Sequence, residues 1–221
     1  MPCYYDRLSA LRLQQCYELA PPEVRAYLEL EVEYIRAAIV PGTRVLELGC
    51  GYGRVLAALA ARKASLVGID LSLASLALAR KLLASQGVTL AQMDAAVPAF
   101  RPASFDLVCC PQNGISAFHV DQRALITSTV GLLAPGGKAL FFSYAEAFWP
   151  HRFAWFHIQA AHGLLGEIDE AASGDGTIVC SDGFVATTVS PDRFVELTRG
   201  LGARVSVSVL GGSSVVCSIT V

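Results

Sequence analysis

The sequence predicts an α/β protein built on a mostly parallel sheet with helices on both faces, and three observations carry that reading. From Thr43 to Tyr144 short apolar runs of strand length alternate with helical stretches, the pattern that right-handed βαβ units produce. The composition, 53% hydrophobic and 16% charged, suits Ala-rich helices packed on a sheet buried on both sides. The chain then ends in two alternating segments around Gly211-Gly212-Ser213-Ser214, which read as an antiparallel hairpin.

Taken in order, two helical segments open the chain, about Tyr5 to Leu19 and Glu23 to Ile39, separated by Pro21-Pro22 with Pro22 suited to a first helical turn. They precede the first strand and so form a cap. Strands are then expected at Arg44 to Leu48, Ser65 to Ile69, Thr89 to Gln92 and Phe105 to Cys110, with helices at Arg54 to Ala61, Leu73 to Ser85 and Asp121 to Leu133. Pro135-Gly136-Gly137 turns the chain into a fifth strand, Ala139 to Tyr144. Residues 145 to 189 break the rhythm with an aromatic and histidine-rich stretch and a hairpin, Thr177 to Cys180 and Phe184 to Thr188, about a Ser-Asp-Gly turn. This insertion after the fifth strand reads as a lid. Ser190-Pro191 marks the N-cap and first residue of a last helix, ending near Arg199, before strands Arg204 to Leu210 and Val215 to Val221.

At 221 residues the chain fits one domain. Its parts are a helical cap (1–40), a core (41–144), the lid insertion (145–189) and the last helix with the hairpin (190–221). Mean hydropathy is high, +0.48, but the most apolar stretches end at Arg62 and Arg80, too soon to span about 20 residues of hydrocarbon. The formal charge of −2 and the lack of a dense Lys/Arg cluster argue against a nucleic-acid partner. Met1-Pro2-Cys3-Tyr4-Tyr5-Asp6 has no basic or apolar leader region, so a cytoplasmic location is expected, with no membrane partner. Seven cysteines lie mostly inside apolar runs and read as reduced and buried.

The most informative segment is Val45-Leu46-Glu47-Leu48-Gly49-Cys50-Gly51-Tyr52-Gly53-Arg54, a strand running into three alternate glycines and a helix. Such glycines let a backbone turn sharply and approach a nucleotide-like ligand. A dinucleotide fingerprint needs its third glycine at position 54, where arginine stands. Glu47 would also repel a pyrophosphate, whereas it suits a ligand carrying an ammonium and a sulfonium. Both points favour S-adenosylmethionine over NAD. Asp70 ends the second strand 21 positions after Gly49, placed to accept two ribose hydroxyl protons.

These segments together resemble the class I, Rossmann-like S-adenosylmethionine-dependent methyltransferases. Glu47-Leu48-Gly49-Cys50-Gly51-Tyr52-Gly53-Arg54 is similar to their first motif, and Val67-Gly68-Ile69-Asp70, Gln92-Met93-Asp94-Ala95-Ala96, Phe105 to Cys110 and Leu132 to Gly137 follow in the family's order. The resemblance implies a seven-stranded sheet and a cofactor site formed by Glu47, Gly49, Cys50, Gly51, Gly53, Arg54, Asp70, Leu71, Asp94, Ala95, Pro111 and Gln112. It also implies transfer of a methyl group to a small-molecule acceptor by in-line displacement. After the fourth strand this chain has Cys110-Pro111-Gln112-Asn113 rather than an Asp/Asn-Pro-Pro-aromatic motif, which disfavours nucleobase amines as acceptors.

Candidate acceptor residues are Tyr4, Tyr5, Asn113, His119, Trp155 and His157, and His119, His151 and His157 are the candidate bases for a hydroxyl nucleophile. No catalytic residue is assigned. His157 and His162 are five apart, off the spacing of a helical metal pair, so no metal is expected. Asp106 at a strand start suits a structural role as well as a ligand contact, and Cys109 and Cys110, adjacent in a strand, must face opposite sides. Another adenosyl-ligand transfer on the same fold, such as aminopropyl transfer, and a non-catalytic cofactor-binding protein are the rival readings. The sequence leaves oligomeric state and the accepting atom open.

Overall fold

Burial fixes the centre of the molecule. In the computed structural model, which describes residues 9–221, strand β1 (Arg44–Leu48) is buried at every residue but Arg44. It lies between β2 (Ser65–Asp70) and β4 (Phe105–Cys110), parallel to both. With β3 (Thr89–Gln92), β5 (Leu133–Tyr144), β8 (Arg204–Leu210) and β9 (Ser214–Thr220) they form a seven-stranded sheet of order β3-β2-β1-β4-β5-β9-β8. The first five are parallel, and β9 runs antiparallel to both β5 and β8. This is the Rossmann-like arrangement with an antiparallel terminal hairpin.

Alternation along the strands splits the core in two. One face carries Leu46, Val108, Cys110, Phe141 and Cys217 against α5 (Gly114–Ala117), α6 (Gln122–Gly131) and α8 (Pro191–Thr198). The other carries Val45, Cys109, Leu140 and Phe142 against α2 (Pro22–Ala37), α3 (Arg54–Leu59) and α4 (Leu73–Leu82). The vicinal cysteines thus face opposite sides and are both fully buried.

A third core lies beyond the carboxyl ends of the strands. Here α1 (Leu11–Glu18) and the first half of α2 pack on α7 (Trp149–Ala161) and on the small hairpin of β6 (Ile178–Val179) and β7 (Val185–Ala186). The cap and the insertion after β5 therefore share one apolar cluster, which includes Cys16, Tyr27, Tyr144, Trp155 and Phe184.

Several sequence expectations change, and one stretch without an expected element gains one. The helix expected to run to Leu133 ends at Gly131, and β5 begins at Leu133 rather than Ala139. Phe105 pairs Leu133 and Leu107 pairs Lys138, so Pro135-Gly136-Gly137 forms a bulge inside the strand rather than a turn before it. The aromatic stretch is a helix, α7, whose start is marked by Pro150 in the first turn. The helix after β2 stops at Leu82, short of Ser85. Other signals hold: the Ser190 hydroxyl caps α8 by accepting from Arg193 N–H, and Asp121 caps α6 through Ala124 N–H. Among the described residues no helix is long and apolar enough to cross a membrane, and the six described cysteines are buried.

Candidate functional site

The sheet order reverses between β1 and β4, so the chain leaves their carboxyl ends in opposite directions and opens a crevice there. On one side of it lies the glycine loop. Gly49, Gly51 and Gly53 all have left-handed φ, 69°, 53° and 89°, and Gly53 serves as the N-cap of α3. A Cβ at Gly49 would sit 2.5 Å from the Phe118 ring, so no larger residue fits that turn. The Cys50 amide bonds Ile69 O at 2.9 Å, which ties the loop to β2 and leaves the Cys50 thiol buried.

Asp70 closes the loop from β2. Its carboxylate accepts Gly51 N–H at 2.9 Å and Ser72 N–H at 2.8 Å, and it is almost fully buried. Burial raises its pKa, and the two backbone bonds act against that. About half of the carboxylate's roughly four acceptor sites stay available. Glu47 is buried beneath the same loop, with Oε2 lacking any hydrogen-bond partner among the described residues. Burial pushes it up to about 8, with Asp70 adding repulsion and Arg54 opposing. Arg54 lies 5.1 Å over the Tyr17 ring, and its Nε and Nη2 are buried without hydrogen-bond partners among the described residues. A buried charged group left short of partners is costly, and several at one crevice mark a place where a polar ligand completes the bonding.

Leu71, next to Asp70, is exposed, and its carbonyl accepts from Gln92 Nε2. Asp94 sits after β3, its Oδ1 accepting Ala96 N–H at 2.8 Å, with Ala95 buried beside it. Pro111, Gln112 and Asn113 follow β4 across the crevice, Gln112 and Asn113 both with left-handed φ, 54° and 61°. The Asn113 side chain donates to Thr187 O and accepts from the Ser143 hydroxyl, so it joins this loop to the insertion. Twelve sequence-assigned residues, Glu47 through Gln112, are therefore grouped around the carboxyl ends of β1, β2, β3 and β4.

The acceptor candidates divide. Asn113 and His119 line a small cleft of about 40 Å³ with Gln112, Ser116, Tyr144 and Arg152. Tyr144 and Arg152 also face a larger cavity of about 1080 Å³, bordered by Glu146, Trp149, Asp175 and Val209. Trp155 and His157 line neither. The Trp155 indole is buried and donates to Cys16 O at 3.1 Å, while His157 is partly exposed 3.5 Å from Glu170. His151 is exposed against Phe148. Tyr4 and Tyr5 lie outside the described residues. Asp106 makes a bidentate pair with Arg44 at the other end of the sheet, at 2.7 and 3.0 Å, a structural role. Among the described residues no group of three or more His, Cys, Asp or Glu is placed to hold a metal.

Sequence reasoning missed Glu31, Tyr17 and Arg152. Glu31 is fully buried on α2, accepting Gln112 N–H at 2.8 Å and the Ser214 hydroxyl at 2.7 Å, and burial pushes it up to about 7. The signal was present: Leu28, Glu31, Val32 and Ile35 share one helical face, so a carboxylate falls inside the apolar stripe. The Tyr17 hydroxyl donates to Gln112 Oε1 at 2.6 Å, and Arg152 donates to Gly176 O and Ala186 O, holding the hairpin to α7. Neither leaves a trace in local pattern.

Comparison with known proteins agrees with this geometry. A family model described as a methyltransferase domain matches residues 45–137. A ubiquinone biosynthesis O-methyltransferase of Idiomarina loihiensis is 37% identical over 104 residues, covering 45% of this chain and 42% of that one. The chain thus spans about half, or less, of the length of such curated relatives. Among solved structures, a SAM-dependent methyltransferase of Methanosarcina mazei superposes with TM-score 0.63 at 18% identity, covering 85% of this chain and 96% of that one. The PH0226 protein of Pyrococcus horikoshii gives TM-score 0.66 at 19% identity, covering 91% and 92%. Residues 45–137 thus match a methyltransferase domain, and the chain shares the Rossmann-like fold of these solved methyltransferase structures.

Proposed function

We propose that the protein transfers a methyl group from S-adenosylmethionine to a small-molecule acceptor held in the cleft beside Asn113. One observation carries the reading: the left-handed glycine loop converges with two buried carboxylates, Asp70 and Glu47, at the point where the sheet order reverses. When bound, the cofactor supplies an electrophilic methyl group on a sulfonium. Asp70 keeps acceptor capacity for two ribose hydroxyls, and Glu47 Oε2 is suited to the ammonium. Gly49, Cys50, Gly51 and Gly53 present backbone without obstruction, while Leu71, Asp94, Ala95, Pro111 and Gln112 border the crevice for the adenosine.

Because displacement at a methyl carbon needs little acid-base assistance, the chain's contribution is to hold the nucleophile about 3 Å from that carbon, in line with the bond that breaks. Asn113 and Ser116 supply polar groups at the cleft, Ser116 Oγ being buried without a partner among the described residues. For a hydroxyl acceptor, His119 at the cleft rim is the base best placed, since His151 and His157 do not line it. The larger cavity, sharing Tyr144 and Arg152 with the cleft, gives room for the rest of a metabolite-sized, largely apolar acceptor. The insertion that walls it, residues 145–189, is the acceptor-selecting part of the chain. The balanced charge supports a small molecule rather than nucleic acid.

Isothermal titration with S-adenosylmethionine, S-adenosylhomocysteine and NAD tests the reading. Binding of the first two and not the third is expected; preference for NAD would overturn it.

A further inference from the structure

The loop that separates the cofactor crevice from the acceptor cleft is held by a carboxylate that lies far away in sequence. Gln112 and Asn113 are consecutive non-glycine residues at positive φ, 54° and 61°. Such a pair is intrinsically unfavourable and persists only where the surroundings over-determine it. For Asn113 the determinants are Ser143 and Thr187, bonded to its side chain. For the Gln112 backbone the determinant is Glu31 Oε2, which accepts its N–H at 2.8 Å from α2. We propose that Glu31 is a positioning residue for methyl transfer, fixing the Gln112-Asn113 backbone in the conformation that presents Gln112 to the cofactor and Asn113 to the acceptor. This rests on the methyltransferase reading above.

A purely structural role competes with it, because the same carboxylate accepts the Ser214 hydroxyl at 2.7 Å and so fastens α2 to β9. The two roles separate by chemistry. Ser214 Oγ has a second acceptor in Ser143 O at 3.3 Å, so its hydroxyl can turn there and accept a bond from residue 31 instead. Glutamine at position 31 keeps both contacts: its oxygen accepts Gln112 N–H and its amide donates to Ser214. Leucine loses both. Ser214→Ala loses only the fastening to β9.

The experiment measures S-adenosylhomocysteine affinity by calorimetry, Gln112 amide exchange by NMR, and melting temperature, for the wild type, Glu31→Gln, Glu31→Leu and Ser214→Ala. In the wild type the Gln112 amide should be protected from exchange. Glu31→Leu should weaken S-adenosylhomocysteine binding about tenfold and speed Gln112 exchange at least about tenfold, as expected when a buried N–H loses its acceptor. Glu31→Gln should stay within about threefold of wild type in both readouts. Ser214→Ala should lower only the melting temperature. If Glu31→Leu does not fold, Glu31→Asp, one methylene short of spanning both partners, should exceed Glu31→Gln in exchange rate and fall below it in affinity. An unprotected Gln112 amide in the wild type, or equal loss of affinity in Glu31→Leu and Ser214→Ala, overturns the proposal. Failure of the wild type to bind S-adenosylhomocysteine would instead sink the methyltransferase reading, and the order of Gln112 exchange rates would still decide the role of Glu31.

Discussion

Three carboxylates, Glu31, Glu47 and Asp70, are each buried and each shifted upward by that burial. On the proposed cofactor reading, in which Asp70 accepts from two ribose hydroxyls, Asp70→Ala should cost about 2 to 4 kcal/mol of cofactor affinity at roughly 1.5–3 kcal/mol per charged hydrogen bond. Calorimetry with S-adenosylhomocysteine checks it, and an unchanged dissociation constant would take Asp70 out of the site. The shifts also set a pH dependence. Glu47 is raised from 4.5 to about 8 and Glu31 to about 7, so between those values and 4.5 the folded protein binds more protons than the unfolded chain. Stability is therefore full below about pH 4.5 for these groups and is lost as pH rises through 7 to 8. Asp106, lowered by Arg44, acts in the opposite sense but below its ordinary 3.8, outside that window. Thermal melts of the ligand-free protein should accordingly fall from pH 5 to pH 8, and a rising curve would contradict the burial of these groups. An ammonium beside Glu47 favours its charged form, so stabilisation by S-adenosylhomocysteine should be larger at pH 8 than at pH 6.

Elements are shaped by a few backbone positions. Gly49 and Gly136 both have left-handed φ, 69° and 78°, but a Cβ at Gly49 meets the Phe118 ring at 2.5 Å while one at Gly136 meets open space. Alanine at 136 should cost about 1 kcal/mol from conformation alone, near 2–4 °C in melting temperature for a chain of this size. Alanine at 49 adds a clash, so its melting temperature should fall further and cofactor binding with it; equal effects would mean that Phe118 is free to yield. The glycine loop, the caps at Asp121 and Ser190, and the strands around Asp70 were legible in sequence because each depends on neighbours within a few residues. The α7 helix was obscured because its composition is aromatic and its buried face mixes polar with aromatic residues, Arg152 and Gln159 beside Trp155 and Phe156.

Across the whole molecule the cap and the insertion act as one layer. Trp155, read from sequence as a residue of a selective lid, packs 6.1 Å from Tyr17 and donates to Cys16 O, so it joins α7 to α1. Trp155→Ala should therefore destabilise the protein by about 3–5 kcal/mol through cavity formation, with cofactor and acceptor functions declining together. Denaturant unfolding measures the loss, and a change below about 1 kcal/mol would show the layer to be loosely held. Sequence by itself determined the α/β class, the approximate positions of the core strands, and the placement of the glycine loop and Asp70 at strand ends, because glycine spacing and apolar periodicity are local and their geometry follows from backbone sterics. Only the tertiary structure decided that Glu31 reaches the loop after β4, that Arg152 stands between two cavities, that Asp106 serves Arg44, and that the insertion is cemented to the cap. Those pairings join residues up to 183 positions apart, as Glu31 and Ser214 are, and only chain closure around the shared sheet brings such partners within hydrogen-bonding reach.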